Sequence, residues 1–164
     1  EVAHYAATAV AQISKESDLK LQQLERSFKT DPSAQNLNEY CDFLGEYLCS
    51  GLAEGRVAQI QRQQYARLLA RRREREDTLE LRIRYATALA DVGQIDEAQA
   101  VTDQLVLDVP EEQEVWMLCL RLAVMRRDGD EVHRVIDAID NQHVYLSADN
   151  REKLAFWRDG EEVG

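Results

Sequence analysis

Three histidines and three cysteines are the residues of this chain whose chemistry could support catalysis or metal binding. His133 and His143 flank a predicted helix end, and no cysteine or glutamate pair stands beside them at metal-ligand spacing. On one helix, Cys41 and Cys49 would lie about two turns apart, roughly 12 Å, which is too far for a disulfide. We therefore expect solvated or capping histidines. Cys41, Cys49 and Cys119 are predicted to be small buried side chains in a reducing compartment.

The acidic cluster at residues 111–114 is the second place where chemistry could occur. It stands at a predicted helix start, where negative charge stabilises the helix dipole and needs no catalytic role. The sequence contains no glycine-rich phosphate loop, nucleophile elbow or HExxH motif. We therefore expect that the chain is not an enzyme and binds neither a cofactor nor a metal.

The composition favours a helical protein. Of the 164 residues, 45% are hydrophobic and 31% are charged, whereas only seven are glycine and two are proline. Such a chain suits long helices around a sizeable core and lacks the turn residues of a β-sandwich. No stretch approaches the roughly 20 apolar residues of a membrane span. Because the sequence begins at Glu1 without an initiator Met, we expect an excised piece whose missing N-terminal part could carry a membrane anchor.

A basic belt interrupts an acidic chain. The net charge is −11, yet residues 56–84 carry nine basic and four acidic side chains. The belt consists of Arg67, Arg71, Arg72, Arg73, Arg75, Arg82 and Arg84. Arginines near a helix C-terminus stabilise their own helix, which is the first interpretation. The alternative is an anion-binding module for RNA or an anionic membrane surface, or a docking patch for an acidic protein. The overall negative charge and the lack of interleaved aromatic residues disfavour nucleic acid.

The apolar pattern is helical and repeats after 34 residues. Asp-Glu-Ala at 96–98 has a counterpart of the same kind, Asp-Glu-Val, at 130–132, and Leu105 matches Ile139 at the same offset. We predict one domain over 1–164. It begins with an N-terminal helix and half-repeat over 1–32, interrupted near 14–17, and continues with a divergent hairpin over 36–76. Repeat units over 79–112 and 113–146 follow, then a capping helix over 147–158 and a frayed tail over 160–164.

These units resemble the tetratricopeptide repeat (TPR). The resemblance rests on Trp116, on the small residues Ala86 and Ala98 at the expected helix crossing, and on the closing prolines Pro32 and Pro110. It implies an all-α fold, a right-handed superhelical stack of antiparallel helical hairpins known as a TPR-like solenoid. It also implies a scaffold for protein–protein interaction.

In a TPR array the first helix of each hairpin lines a groove. The residues that this resemblance assigns to the groove are Asn38, Cys41, Leu48, Glu80, Ile83, Thr87, Glu114, Met117 and Arg121. Ile83 and Thr87 occupy places where the family's carboxylate clamp needs Lys, Asn or Arg, so a clamp is disfavoured. The apolar members instead predict a groove for the apolar face of an amphipathic partner helix. Internal packing of these residues, or occupation by the chain's own N-terminal helix, remains the alternative.

A second resemblance lies in two segments, 47–55 and 61–69, which precede the repeats. They are similar to a family of repeat-bearing inner-membrane components of bacterial Pel exopolysaccharide systems, which build biofilm. The resemblance implies a cytoplasmic domain of an inner-membrane protein. It further implies a protein partner in the same synthase complex, either the cyclic-di-GMP receptor PelD or another Pel component. A generic bacterial repeat scaffold is the alternative.

Overall fold

The computed structural model describes residues 2–159. Over that range the chain forms eight α-helices and no strand, which confirms the predicted all-α class. The helices are α1 (Val2–Thr30), α2 (Ala34–Cys49), α3 (Gly55–Arg73), α4 (Leu79–Asp91), α5 (Ile95–Asp108), α6 (Gln113–Met125), α7 (Gly129–Asn141) and α8 (Ala148–Asp159). None of these helices has both the length and the apolar character needed to cross a bilayer. The tail expected over 160–164 lies outside the described residues.

The chain divides into two compact units. Unit 1 is Glu1–Asp77 and holds α1, α2 and α3, whereas unit 2 is Thr78–Gly164 and holds α4 to α8. The boundary falls immediately before α4, at Thr78, whose hydroxyl accepts a hydrogen bond from the amide of Leu81 and so caps that helix.

In unit 1, α1 and α2 pack antiparallel. The Phe28 ring near the end of α1 lies 6.0 Å from that of Tyr40 near the start of α2. At the other end of α2, the Tyr47 hydroxyl donates a 2.6 Å hydrogen bond to Asp18 Oδ1. α1 continues without a break through 14–17, so the expected interruption there is wrong. That stretch contains no glycine or proline, the residues that most often break a helix.

α2 and α3 approach closely at Gly45. This residue is buried, and a Cβ placed on it would lie 2.8 Å from the hydroxyl oxygen of Tyr65 on α3. The two helices can therefore come this close because position 45 has no side chain. Cys41, one turn earlier, is fully buried.

In unit 2, each helix packs against the next, and α4 also contacts α6. One hydrophobic cluster forms around Ala98 and Leu105 of α5 with Leu122 of α6, all essentially inaccessible to solvent. A second cluster joins Trp116 of α6 to α7 and α8. The Trp116 indole also donates a 2.7 Å hydrogen bond to the carbonyl of Pro110, so its only polar group is satisfied where the ring is buried.

Candidate functional site

Unit 2 has a pocket of about 560 Å³ between α4, α6 and α8, which we call the α4–α6–α8 pocket. Its lining consists of Ile83, Thr87, Glu114, Met117, Leu118, Leu120, Arg121, Val124, Met125, Asn150, Lys153 and Trp157. Because α4 contacts α6 directly, side chains on the exposed faces of these two helices form adjacent walls. α8 supplies the third wall.

The lining is mainly apolar and adaptable. Both methionines of the chain, Met117 and Met125, line this pocket. Methionine is unbranched and polarisable, so surfaces rich in it adjust to partners of different shape. Trp157 on α8 adds a half-buried aromatic surface, and the Phe156 ring meets it edge-on at 5.1 Å. This lining suits aliphatic and aromatic side chains of a ligand.

Polar side chains with both signs of charge surround the apolar lining. Glu114 and Lys153 are exposed. Arg121 donates a 2.6 Å hydrogen bond to Asp91 Oδ1, so its charge is partly offset by that carboxylate. A ligand with an apolar face and polar flanks would satisfy this arrangement, whereas a compact anion would find no concentrated positive charge.

Gln113 at the start of α6 holds the α8 wall in place. Its side-chain oxygen Oε1 accepts a 2.8 Å hydrogen bond from the Ser147 amide and a 3.0 Å bond from Asn150 Nδ2. Ser147 is also the residue whose hydroxyl accepts from the Asn150 amide and begins α8. The pocket therefore depends on a contact between residues more than 30 positions apart in sequence.

Five of the nine predicted groove residues lie together in this pocket: Ile83, Thr87, Glu114, Met117 and Arg121. Glu80 is exposed on the first turn of α4 but does not line it.

The other three, Asn38, Cys41 and Leu48, belong to α2 in unit 1. Asn38 and Leu48 are half-buried, whereas Cys41 is fully buried and offers no groove surface. Its assignment to an exposed groove is wrong because α2 packs against both α1 and α3.

The pocket also contains seven residues that were not predicted for the groove: Leu118, Leu120, Val124, Met125, Asn150, Lys153 and Trp157. The apolar pattern around Leu154 and Trp157 indicated a capping helix. It did not indicate that the helix forms a binding wall.

The basic belt is largely occupied by contacts within the protein. Arg72 pairs with Asp42 at 2.7 Å, and Arg73 pairs with Asp77 at 3.2 Å. The Arg71 guanidinium lies 5.1 Å from the centre of the Phe28 ring.

The belt arginines of unit 2 are also engaged. The guanidinium of Arg82 hydrogen-bonds the Asp108 carboxylate and, with Gln104, lowers the pKa of that group below its ordinary value. Arg84 is half-buried, and Arg67 and Arg75 in unit 1 are exposed. Three of the seven belt arginines, Arg72, Arg73 and Arg82, are thus paired with carboxylates of the same chain, which reduces the positive charge that the belt presents to an external anion.

The cysteines and histidines show no constellation for chemistry. Burial raises the pKa of the Cys119 thiol to about 12, so this sulfur stays protonated at neutral pH. The prediction of burial holds for Cys41 and Cys119 but is wrong for Cys49, which is exposed as the last residue of α2. His133 and His143 are exposed, as is His4. Within residues 2–159, no group of three or more His, Cys, Asp or Glu side chains could hold a metal ion.

No protein-family model, curated protein or solved structure matches this chain.

Proposed function

We propose that this chain is a non-catalytic scaffold for protein–protein interaction and that the α4–α6–α8 pocket holds the apolar face of an amphipathic helix from its partner. The observation that carries this proposal is the pocket itself, an apolar concavity containing both methionines of the chain and Trp157. Its volume of about 560 Å³ falls in the range of roughly 300–1,000 Å³ typical of ligand sites.

A helix is the partner element that this lining favours. Apolar side chains at i, i+3, i+4 and i+7 project from one face of a helix and would enter the pocket together. The flanking polar residues of such a helix would meet Glu114 and Lys153, which stand exposed at the rim. Burial of the apolar side chains contributes about 25 cal/mol for each Å² removed from water, from which the entropy cost of association is subtracted.

We further propose that the hairpins are divergent TPR units and that the protein acts as the scaffold component, PelE, of a Pel exopolysaccharide synthase, with PelD as its partner. The support is the resemblance of residues 47–55 and 61–69 to that family, together with the 34-residue offset of unit 2. The equivalent pocket positions Ile83 and Met117 keep this offset. In this proposal the domain works at the cytoplasmic side of an inner-membrane complex.

Binding of purified PelD, measured by surface plasmon resonance, tests both parts of the proposal. Replacing Ile83 and Met117 together by Glu should weaken binding by roughly 30-fold or more, since the pocket would then bury carboxylates among apolar side chains. Leu107→Glu is the matched control, because Leu107 is 76% exposed on α5 and lies outside the pocket. Circular dichroism should show unchanged helix content in both variants.

The basic belt gives the competing outcome. Arg67→Glu with Arg75→Glu changes two exposed belt residues and should mainly slow association. The pocket proposal fails if the Arg67→Glu/Arg75→Glu variant loses binding while the pocket variant binds normally. In that case the partner docks on the basic belt, and binding of the native chain should weaken steeply as salt is added. If PelD does not bind but a model amphipathic helical peptide binds in the pocket, the Pel assignment fails and the scaffold proposal stands.

A further inference from the structure

The first half of α1 carries an apolar face that nothing in unit 1 covers. Val2 is 84% exposed, Val10 58% and Ile13 56%. Every residue over 2–13, which we call the N-terminal segment, is exposed. α1 has 29 residues and its neighbour α2 only 16, and the α2 residue Tyr47 already contacts α1 at Asp18. The N-terminal segment therefore extends beyond the helix against which α1 packs.

The exposed apolar face of the N-terminal segment is continuous with the apolar face that the second half of α1 packs against α2. Val10 lies about five turns before Phe28 and about three turns before Leu21, so the three side chains share one side of the helix. Leu21 and Phe28 are buried. A single apolar stripe thus runs along α1, and α2 covers only its second half.

We propose that the N-terminal segment is a homodimerisation surface, on which the same segment of a second copy packs antiparallel. The proposal goes beyond the scaffold function and does not depend on it. Its first argument is charge. The chain has a net charge of −11, but residues 2–14 contain no Asp, Glu, Lys or Arg, and no other charge-free stretch in the chain is as long. Two copies can approach here without the like-charge repulsion expected between their acidic surfaces.

The second argument is self-complementarity. An isologous dimer needs residue i to meet residue j while j meets i. With the two-fold axis between Ala6 and Ala9, those two alanines face each other across the dimer. The same register places Val2 opposite Ile13, and Tyr5 opposite Val10 of the other copy. Small residues at the centre allow close approach of the helices, and the larger apolar residues pack on either side.

The contact area predicts a weak dimer. The segment is about 18 Å long and a helix with its side chains about 10 Å wide, so each copy would cover roughly 200 Å² or somewhat more. A standard interface covers about 800 Å² on each partner. We therefore expect dimerisation with a dissociation constant of roughly tens to hundreds of micromolar, corresponding to about 5–6 kcal/mol.

Sedimentation equilibrium of the full chain from about 1 µM to 1 mM tests the proposal. Replacing Ala6 and Ala9 together by Lys should raise the dissociation constant at least about tenfold, because each copy then opposes Lys to Lys. Ala6→Lys combined with Ala9→Glu should restore dimerisation, since the antiparallel register sets each Lys opposite a Glu. The matched control is Ala7→Lys with Ala11→Lys, two alanines of the same segment on the other side of the helix.

Four outcomes would overturn the proposal. The first is a native chain that remains monomeric over the whole range, and the second is a dimer that the double-Lys variant leaves intact. The third is a failure of the Lys/Glu variant to dimerise while circular dichroism shows that its helix content is native, since this excludes the antiparallel register. The fourth is loss of the dimer in Met117→Glu, which would mean that the segment occupies the α4–α6–α8 pocket of another copy.

Discussion

Helices α4 to α7 of unit 2 have similar lengths, whereas in unit 1 α1 is almost twice as long as its neighbour α2. α4 to α7 have 13 or 14 residues each, so each can be covered along its length by its neighbours. α1 is 29 residues long and packs against an α2 of 16. Because α1 is longer than α2, the apolar side chains of its first half are exposed.

The two units also achieve close packing with different small residues. In unit 2 the fully buried Ala98 of α5 lies in the cluster formed with α4 and α6. In unit 1 the close approach is at Gly45, opposite Tyr65. We therefore expect that a larger side chain at Ala98 destabilises unit 2. At Gly45 in unit 1, we expect that even the single methyl group of alanine is destabilising.

The largest effect is expected in unit 2, from Ala98→Arg. Ala98 is fully buried, so the variant combines overpacking with a buried charge and should cost at least about 3 kcal/mol. Thermal melting followed by circular dichroism measures the loss. Ala100→Arg, at an exposed position on the same helix, is the control and should change stability by no more than about 0.5 kcal/mol. An Ala98→Arg protein that melts within about 2 °C of the native one would contradict the packing described for unit 2.

The next largest effect compares two leucines within α1. Leu21 is 7% exposed, and Leu21→Ala should cost about 2–4 kcal/mol through lost burial and the cavity that remains. Leu19 is 51% exposed, so Leu19→Ala should cost less than about 0.5 kcal/mol. Urea unfolding of both variants, carried out at the same protein concentration, gives the difference between their free energies of unfolding. Equal losses would mean that α1 does not pack against α2 along the stripe of Leu21.

A smaller effect is expected at Gly45. The new Cβ of Gly45→Ala would lie 2.8 Å from the Tyr65 hydroxyl oxygen, so the strain should outweigh the gain in helix propensity by about 1 kcal/mol. Gly129 at the start of α7 has open space around it. Gly129→Ala should therefore stabilise the protein by about 0.4–1 kcal/mol. Chemical denaturation should show that the free energy of unfolding falls in Gly45→Ala and rises in Gly129→Ala. If Gly45→Ala is stabilising instead, the Tyr65 side chain can move aside without strain.

The smallest effect depends on pH. Burial, and then the carboxylate of Asp18, raise the pKa of Tyr47 to about 12 from an ordinary value near 10. The neutral phenol is thus favoured in the folded state, so its contribution is complete below pH 10 and is lost as pH rises toward 12. Between pH 10 and pH 12, the free energy of unfolding should fall more steeply for the native protein than for Tyr47→Phe. Cys119 is present in both proteins and cancels, and Tyr145→Phe, at an 80% exposed position, should behave like the native chain. Parallel curves for native protein and Tyr47→Phe would contradict the Tyr47–Asp18 contact.

In unit 2, the starts of α4 and α7 and the end of α4 carry local sequence signals. Thr78 and Asp128 cap α4 and α7 with their side chains, as their residue types favour. Gly93 follows α4 with a φ of 78°, a conformation that glycine adopts without strain. The continuity of α1 was harder to predict, because residues 14–17 are polar and give no strong local signal for or against a helix.

The candidate site could be predicted only in part. Ile83 and Met117, like Thr87 and Arg121, are 34 residues apart, and a repeat places such pairs in one row. The α8 wall follows no repeat. Its position results from the packing of Leu154 in the cluster with α6 and α7, and from the hydrogen bonds between Gln113 and the start of α8. No local pattern encodes these contacts.

By itself, the sequence determined the all-helical class and which side chains of α4 and α6 line the pocket, because helical periodicity acts over a few residues and the 34-residue offset aligns the two helices. The tertiary structure alone decided which surfaces are free. It buried Cys41, exposed Cys49, paired Arg72 with Asp42 and added α8 to the pocket. Exposure depends on which distant segment packs against a side chain, and the free energy of that choice is shared among contacts that lie far apart in the chain.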